Sequence, residues 1–80
     1  MSKIFDQPFK KIKPLTFYEI LRLRIDVFVV EQNCPYPELD GFDVDSGTRH
    51  IWLADEESPV SYLRVLRKSK GVDKIGRVAT

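Results

Sequence analysis

The side chains best suited to chemistry concentrate between residues 31 and 57. Glu31, Glu38, Asp40, Asp43, Asp45, Asp55, Glu56 and Glu57 share that stretch with one basic residue, Arg49, giving it a net charge of −7. Carboxylates gathered around a loop attract a cationic ligand such as an amine. The competing reading is loop charge that only keeps the surface hydrated, and charge alone leaves both open. Asp43, Asp45 and Gly47 fall at alternate positions, which invites a calcium reading. An EF-hand loop needs glycine at its sixth position and a bidentate glutamate at its twelfth; counted from Asp43, Thr48 and Ala54 stand there, so the pattern fails.

His50 is the only histidine and Cys34 the only cysteine. A disulfide within the chain and a cysteine-based zinc site are therefore ruled out. Cys34 follows the C-terminal end of an expected helix, the wrong end for lowering a thiol pKa. A lone histidine at the start of a strand reads as a hydrogen-bonded structural residue ahead of a catalyst. The glycines at 41, 47, 71 and 76 never cluster before a helix, so neither a phosphate-cradling loop nor a dinucleotide fingerprint is present.

The elements that must position these residues follow from periodicity. Thr16 with Glu19 three residues on has capping-box spacing, and Leu15 with Ile20 has hydrophobic-staple spacing. Tyr18, Leu21, Ile25 and Phe28 then recur at helical intervals, predicting a helix over 17–32 that buries that face. Pro35 disfavours helical geometry at its predecessor and ends it. Residues 33–48, with two prolines and two glycines, read as a long loop, and loops of that length in compact domains are often functional. Strands are expected over 49–54, 60–67 and 74–80, with a short edge strand over 4–9 limited by Pro8. The strand over 60–67 has apolar groups on both faces, which predicts a sheet covered on both sides. The order strand, helix, long loop, three strands is an α+β domain whose last strand ends abruptly. Such an edge favours association with a second copy or another chain.

Composition sets the class. At 80 residues, 42% hydrophobic and 31% charged, the chain is one small globular domain. It contains no apolar run long enough for a membrane span, and its N-terminus has no signal-peptide pattern, so a cytoplasmic protein without membrane partners is expected. Residues 1–30 carry +3 and residues 60–80 carry +5, but neither segment interleaves basic and aromatic residues, which argues against nucleic-acid binding. The lysines at 10, 11 and 13 read as a solvated flank.

Four segments carry a more specific signal. LRLRIDVFVVEQNCPYPELDG over 21–41, GTRHIW over 47–52, SYLRVL over 61–66 and IGRVAT over 75–80 occur in that order. Together they resemble the characteristic segments of the ElaA-like family of GNAT N-acetyltransferases. The resemblance covers nearly the whole chain but only the N-terminal half of the family's domain. It implies one partial domain over 1–80, lacking the glycine-rich turn that holds the coenzyme A pyrophosphate and the C-terminal half beyond it.

On that resemblance the co-substrate is acetyl-CoA and the acceptor is a small-molecule or peptide amine. The acceptor side would be lined by Glu31, Gln32, Tyr36, Asp40 and Asp43, with Arg77 beside them. Backbone N–H groups of Val78, Ala79 and Thr80 would meet the oxyanion and pair with the pantetheine arm. No general base is assigned. Arg24, Arg64 and Arg77 could instead pair with Glu31, Asp40 or Asp43 to hold the loop on the sheet. For Arg64 and Arg77 both roles stay open, and for Arg24 the scaffold role leads. Trp52 and Tyr62 read as core. Two functional readings stand: an acetyl-CoA-dependent N-acetyltransferase, completed by a longer product or a complementing C-terminal half, and a non-catalytic truncated fragment or interaction module that associates, for example as a homodimer, through its open strand edge.

Overall fold

The computed structural model describes residues 2–31, 38–56, 58–69 and 72–80. Four strands form one antiparallel sheet in sequence order: β1 (Ser2–Gln7), β2 (Arg49–Asp55), β3 (Ser58–Ser69) and β4 (Val72–Ala79). The helix α1 (Pro14–Ile25) lies across one face and continues as π-helix over Asp26–Glu31. Short 3-10 turns occupy Phe9–Lys11 and Phe42–Val44. Among the described residues no helix is long and apolar enough to cross a membrane.

The strands lie close to their expected positions. β1 ends before Pro8, which has no N–H for a ladder, so Phe9 leaves the sheet for a 3-10 turn. Asp6 on this edge strand takes Arg49 Nε at 2.8 Å. The register sets Phe5, Trp52 and Tyr62 side by side, and likewise Gln7, His50 and Arg64. This row faces α1. Phe5 stacks on Trp52 with ring centroids 5.2 Å apart, and Ile12, Ile20, Ala54 and Tyr62 close the core around them.

Three expectations about the helix are corrected. It starts at Pro14, with Lys13 as an N-cap that makes no side-chain bond. Proline takes the first helical position because its φ is already helical and its missing N–H would be unpaired there anyway. Thr16 therefore lies inside the helix instead of capping it, and Leu15 is 73% exposed, so neither capping box nor staple forms. The buried stripe is Phe17, Ile20, Arg24 and Val27, not the Tyr18 face; Tyr18 is 63% exposed. An arginine inside the stripe hides it from an apolar count. The last turns, rich in the β-branched Val27, Val29 and Val30, favour the α-helix weakly and are the part that widens to π geometry.

The far face of the sheet departs from expectation too. Ile51, Leu53, Leu63 and Val65 point there, half-buried by their neighbours, and Ile4 and Ile75 are exposed at its margins. Among the described residues no helix packs on that face, and α1 covers the other.

Candidate functional site

Three arginines from three elements converge on residues 38–43 of the long loop. Arg24 of α1 is fully buried and donates from Nε to Glu38 and from Nη1 to Asp43 Oδ1 at 2.8 Å. Arg64 of β3 donates to Asp43 Oδ1 at 3.0 Å and to Asp40 Oδ2 at 2.8 Å. Arg77 of β4 lies 3.3 Å from both Glu38 Oε2 and Asp40 Oδ2. Cations and carboxylates alternate along this chain and their charges cancel. The guanidinium of Arg24 also sits over the Tyr62 ring, 5.5 Å from its centroid.

Burial of Arg24 and Arg64 works against their charge, but the hydrogen bonds they donate to the carboxylates, with the attraction of those negative charges, more than offset it and raise both pKa values. The Asp40 carboxyl is held down at about 2, first by the hydrogen bond from Arg64; partial burial opposes this and the Phe42 N–H assists. Asp40 is thus a fixed anion, and too weak a base to take a proton from an ammonium near neutral pH.

Local structure explains how the loop presents these groups. Gly41 adopts φ 88°, a left-handed conformation glycine takes without strain. Asp40 Oδ1 accepts the N–H of Phe42 across that turn at 3.1 Å. The 3-10 turn that follows turns Asp43 inward, and Thr48 Oγ1 pins it by donating to the Phe42 carbonyl at 2.7 Å. His50, also fully buried, donates from Nε2 to the Asp43 carbonyl at 2.9 Å. A carbonyl can only accept, so Nδ1 carries no proton and accepts from the Tyr62 hydroxyl at 2.6 Å. Burial lowers the His50 pKa and raises that of Tyr62, so both are neutral. His50 is structural, as its isolation in the sequence suggested, and Trp52 and Tyr62 are core.

The fourth strand is irregular where it passes this network. Tyr62 pairs with Ala79 and Arg64 with Gly76, so Arg77 and Val78 stand opposite Leu63 alone. This is a β-bulge, which leaves a residue out of the ladder and re-aims its neighbours. Arg77 sits in it at φ 52°. Val78 is exposed, Ala79 is buried against the core, and Thr80 is exposed, its hydroxyl 3.5 Å from that of Ser61. In the sheet order β4 has only β3 as a neighbour, so its outer edge is open among the described residues.

The predicted site residues therefore divide. Asp40, Asp43 and Arg77 come together, and Val78, Ala79 and Thr80 lie along the adjoining edge. Glu31 is the last residue of the π-helical segment, and the placement of its side chain, like Gln32 and Tyr36, lies outside what the structure describes. Glu38, which links Arg24 to Arg77, was missed; its signal was the spacing of Glu38, Asp40 and Asp43 beside three arginines. Among the described residues no group of three or more metal-ligating side chains is placed to hold a metal ion.

No model of a known protein family matches the chain. Sequence relatives do. A UPF0039 protein of Mycobacterium tuberculosis is 46% identical over 70 residues, which span 86% of this chain and 45% of that protein. Protein ElaA of Escherichia coli K12 is 48% identical over 65 residues, spanning 76% of this chain and 41% of ElaA. A UPF0039 protein of Schizosaccharomyces pombe is 38% identical over 71 residues. The chain spans about half the length of these curated relatives. Among solved structures, an acyl-CoA N-acyltransferase from Pseudomonas aeruginosa matches all of this chain and 56% of its own, with TM-score 0.90 and 34% identity. The crystal structure of E. coli ElaA matches all of this chain and 55% of its own, with TM-score 0.89 and 36% identity. The chain is thus a homologue of the ElaA proteins, and its fold is the N-terminal half of the GNAT acyl-CoA N-acyltransferase fold.

Proposed function

We propose that this chain contributes the acceptor half, and the acyl-facing strand, of an acetyl-CoA-dependent N-acetyltransferase that acts on a small-molecule or peptide amine. The observation that carries the reading is the bulged, open-edged β4 beside the loop that holds Asp40. An open strand edge fits the amide-bearing pantetheine arm, which can pair with it as an added strand. Backbone N–H groups released from a ladder by a bulge are suited to an oxyanion.

In the reaction the amine nitrogen attacks the thioester carbonyl carbon. The C–N bond forms, the carbonyl oxygen takes up negative charge facing the N–H groups near Val78–Thr80, and the C–S bond then breaks. The amine gives up a proton and the leaving thiolate gains one. Asp40, ionised throughout the ordinary pH range, orients an approaching ammonium instead of deprotonating it. Asp43, buried between Arg24 and Arg64, serves by holding the loop. Since charge in the network is balanced, the acceptor meets a local carboxylate, not a broad negative field. Glu31, Gln32 and Tyr36 remain proposed acceptor contacts on the resemblance alone.

The test is release of coenzyme A thiol by a full-length protein carrying this half, with acetyl-CoA and a panel of primary amines. Asp40→Asn is expected to raise KM for the amine about tenfold, the scale of one charge-assisted hydrogen bond, while KM for acetyl-CoA stays within twofold. Equal rises in both would overturn the assignment of Asp40. A second reading, a non-catalytic module that associates through the β4 edge, is favoured by that edge having no strand neighbour beyond β3 among the described residues. Amine-independent silence in the assay, together with concentration-dependent dimerisation of the 80-residue chain, would select it. Alone, the chain is expected neither to bind acetyl-CoA at micromolar concentration nor to turn over.

A further inference from the structure

A left-handed residue in a β-bulge is usually glycine, because a Cβ is strained there. Here the position belongs to Arg77 at φ 52°, although Gly76 is its immediate neighbour. The strain persists only if the surroundings over-determine it. What surrounds Arg77 is the loop: Nε faces Glu38 Oε2, and Nη2 donates to Asp40 Oδ2, both at 3.3 Å, and to the Glu38 carbonyl at 3.4 Å. Both carboxylates are themselves fixed, Glu38 by the fully buried Arg24 and Asp40 by Arg64. A planar guanidinium that must meet two fixed carboxylates and a carbonyl leaves the backbone beneath it little choice of φ.

We propose that Arg77 is a positioning residue that couples the two sides of the site: its bonds to Glu38 and Asp40 hold the β4 bulge in its left-handed form, so the loop and the backbone N–H groups of Val78 and Ala79 take up their arrangement as one unit. The functional significance of this coupling rests on the acyltransferase reading; the structural coupling itself does not. An acceptor that displaces the guanidinium from Asp40 then acts on the bulge as well as on the loop. In the full-length enzyme, occupancy of the acceptor side is felt at the acyl side with no direct contact between the two substrates.

The test compares Arg77→Ala, Arg77→Gly and Glu38→Gln in the 80-residue chain by amide hydrogen exchange and amide chemical shifts. Arg77→Ala loses the ion pairs and keeps the left-handed penalty, and is expected to speed exchange at Ala79, which pairs with Tyr62, about 5–30-fold, the fold-change corresponding to that penalty, and to shift the amide signal of the unpaired Val78. Arg77→Gly loses the same pairs but relieves the penalty, and should return exchange at Ala79 to within about threefold of the parent. Glu38→Gln, which leaves β4 untouched, should still shift the Val78 and Ala79 amide signals. The proposal is overturned if alanine and glycine behave alike, or if Glu38→Gln leaves those signals in place. A global loss of dispersion in Arg77→Ala with a folded Arg77→Gly counts as support; unfolding of both is alike behaviour and counts against it. These readouts need no catalysis, so they stand or fall separately from the activity. In the full-length enzyme Arg77→Gly should recover KM for acetyl-CoA but not KM for the amine, a split that simple loss of structure would not produce.

Discussion

Asp43 is the residue whose loss should be felt most. It is 5% exposed and takes hydrogen bonds from two guanidiniums, Arg24 at 2.8 Å and Arg64 at 3.0 Å. Asp43→Asn keeps the shape and removes the charge, leaving the fully buried Arg24 with Glu38 alone among the carboxylates. Breaking a buried ion pair by neutralising one partner costs about 3–5 kcal/mol. That is a large part of the roughly 5–15 kcal/mol available to a small domain. With a urea m-value of about 1.5 kcal/mol/M, the midpoint should fall by about 2 M or more. Trp52, the single tryptophan, is buried and stacked on Phe5, so its fluorescence reports the transition. Arg24→Met should destabilise by a similar amount. The double variant should cost less than the two singles together, by a coupling of about 1–3 kcal/mol, since neither charge is left searching for the other. Single-variant losses below about 1 kcal/mol, or additivity to within about 0.5 kcal/mol, would refute the idea that a buried charge network holds the loop to the sheet.

Other outcomes can be checked on the same chain. His50 has its pKa lowered by burial, so the unfolded chain binds its proton first as pH falls. Stability is then complete above the ordinary value of 6.5 and declines below it, by up to about 1.4 kcal/mol per pH unit until the folded-state pKa is reached. Urea melts between pH 7.5 and 5 should show this slope, and His50→Gln should flatten it. Asp40, with its pKa lowered from 3.8 to about 2, contributes above the unfolded value and loses that contribution as pH falls from about 4 toward 2. Because water reaches this carboxylate, the loss should be about 1–2 kcal/mol, absent in Asp40→Asn. Tyr62→Phe removes the donor to His50 Nδ1 and should cost about 1–3 kcal/mol in a melt that stays cooperative.

The strands were legible because alternation and the punctuation of Pro8, Gly71 and the acidic run at 55–57 in the sequence mark them without reference to anything distant. The helix was legible in extent but not in orientation. Arg24 falls in the buried stripe at the interval where a leucine would be counted, and only the tertiary partners Glu38 and Asp43 reverse the ordinary preference of arginine for water. The same partners explain the site. Pairing between Arg24, Arg64, Arg77 and the loop carboxylates could be anticipated as one of two readings of the charge segregation. Which carboxylate met which arginine depended on the turn at Gly41 and on His50 holding the Asp43 carbonyl, neither of which leaves a periodic trace. The bulge left no signal, since its left-handed position carries arginine where glycine would have announced it.

The far face of the sheet has a consequence for handling as well as for structure. Among the described residues Ile51, Leu53, Leu63 and Val65 are half-buried there and Ile4 and Ile75 are open to solvent at its margins, making a largely apolar plate beside the Asp6–Arg49 ion pair, bounded by β1 and β4, each with a single strand neighbour. Plates of this kind adhere to one another, to dyes such as anilinonaphthalene sulfonate and to detergent monomers. Concentration and surfactant will therefore shift what this chain looks like in a tube, and a spectrum recorded at millimolar strength will describe a different population from a melt recorded at micromolar strength. Lysine at positions 4 and 75, remote from the arginine network, would blunt the plate without touching the chemistry-bearing side.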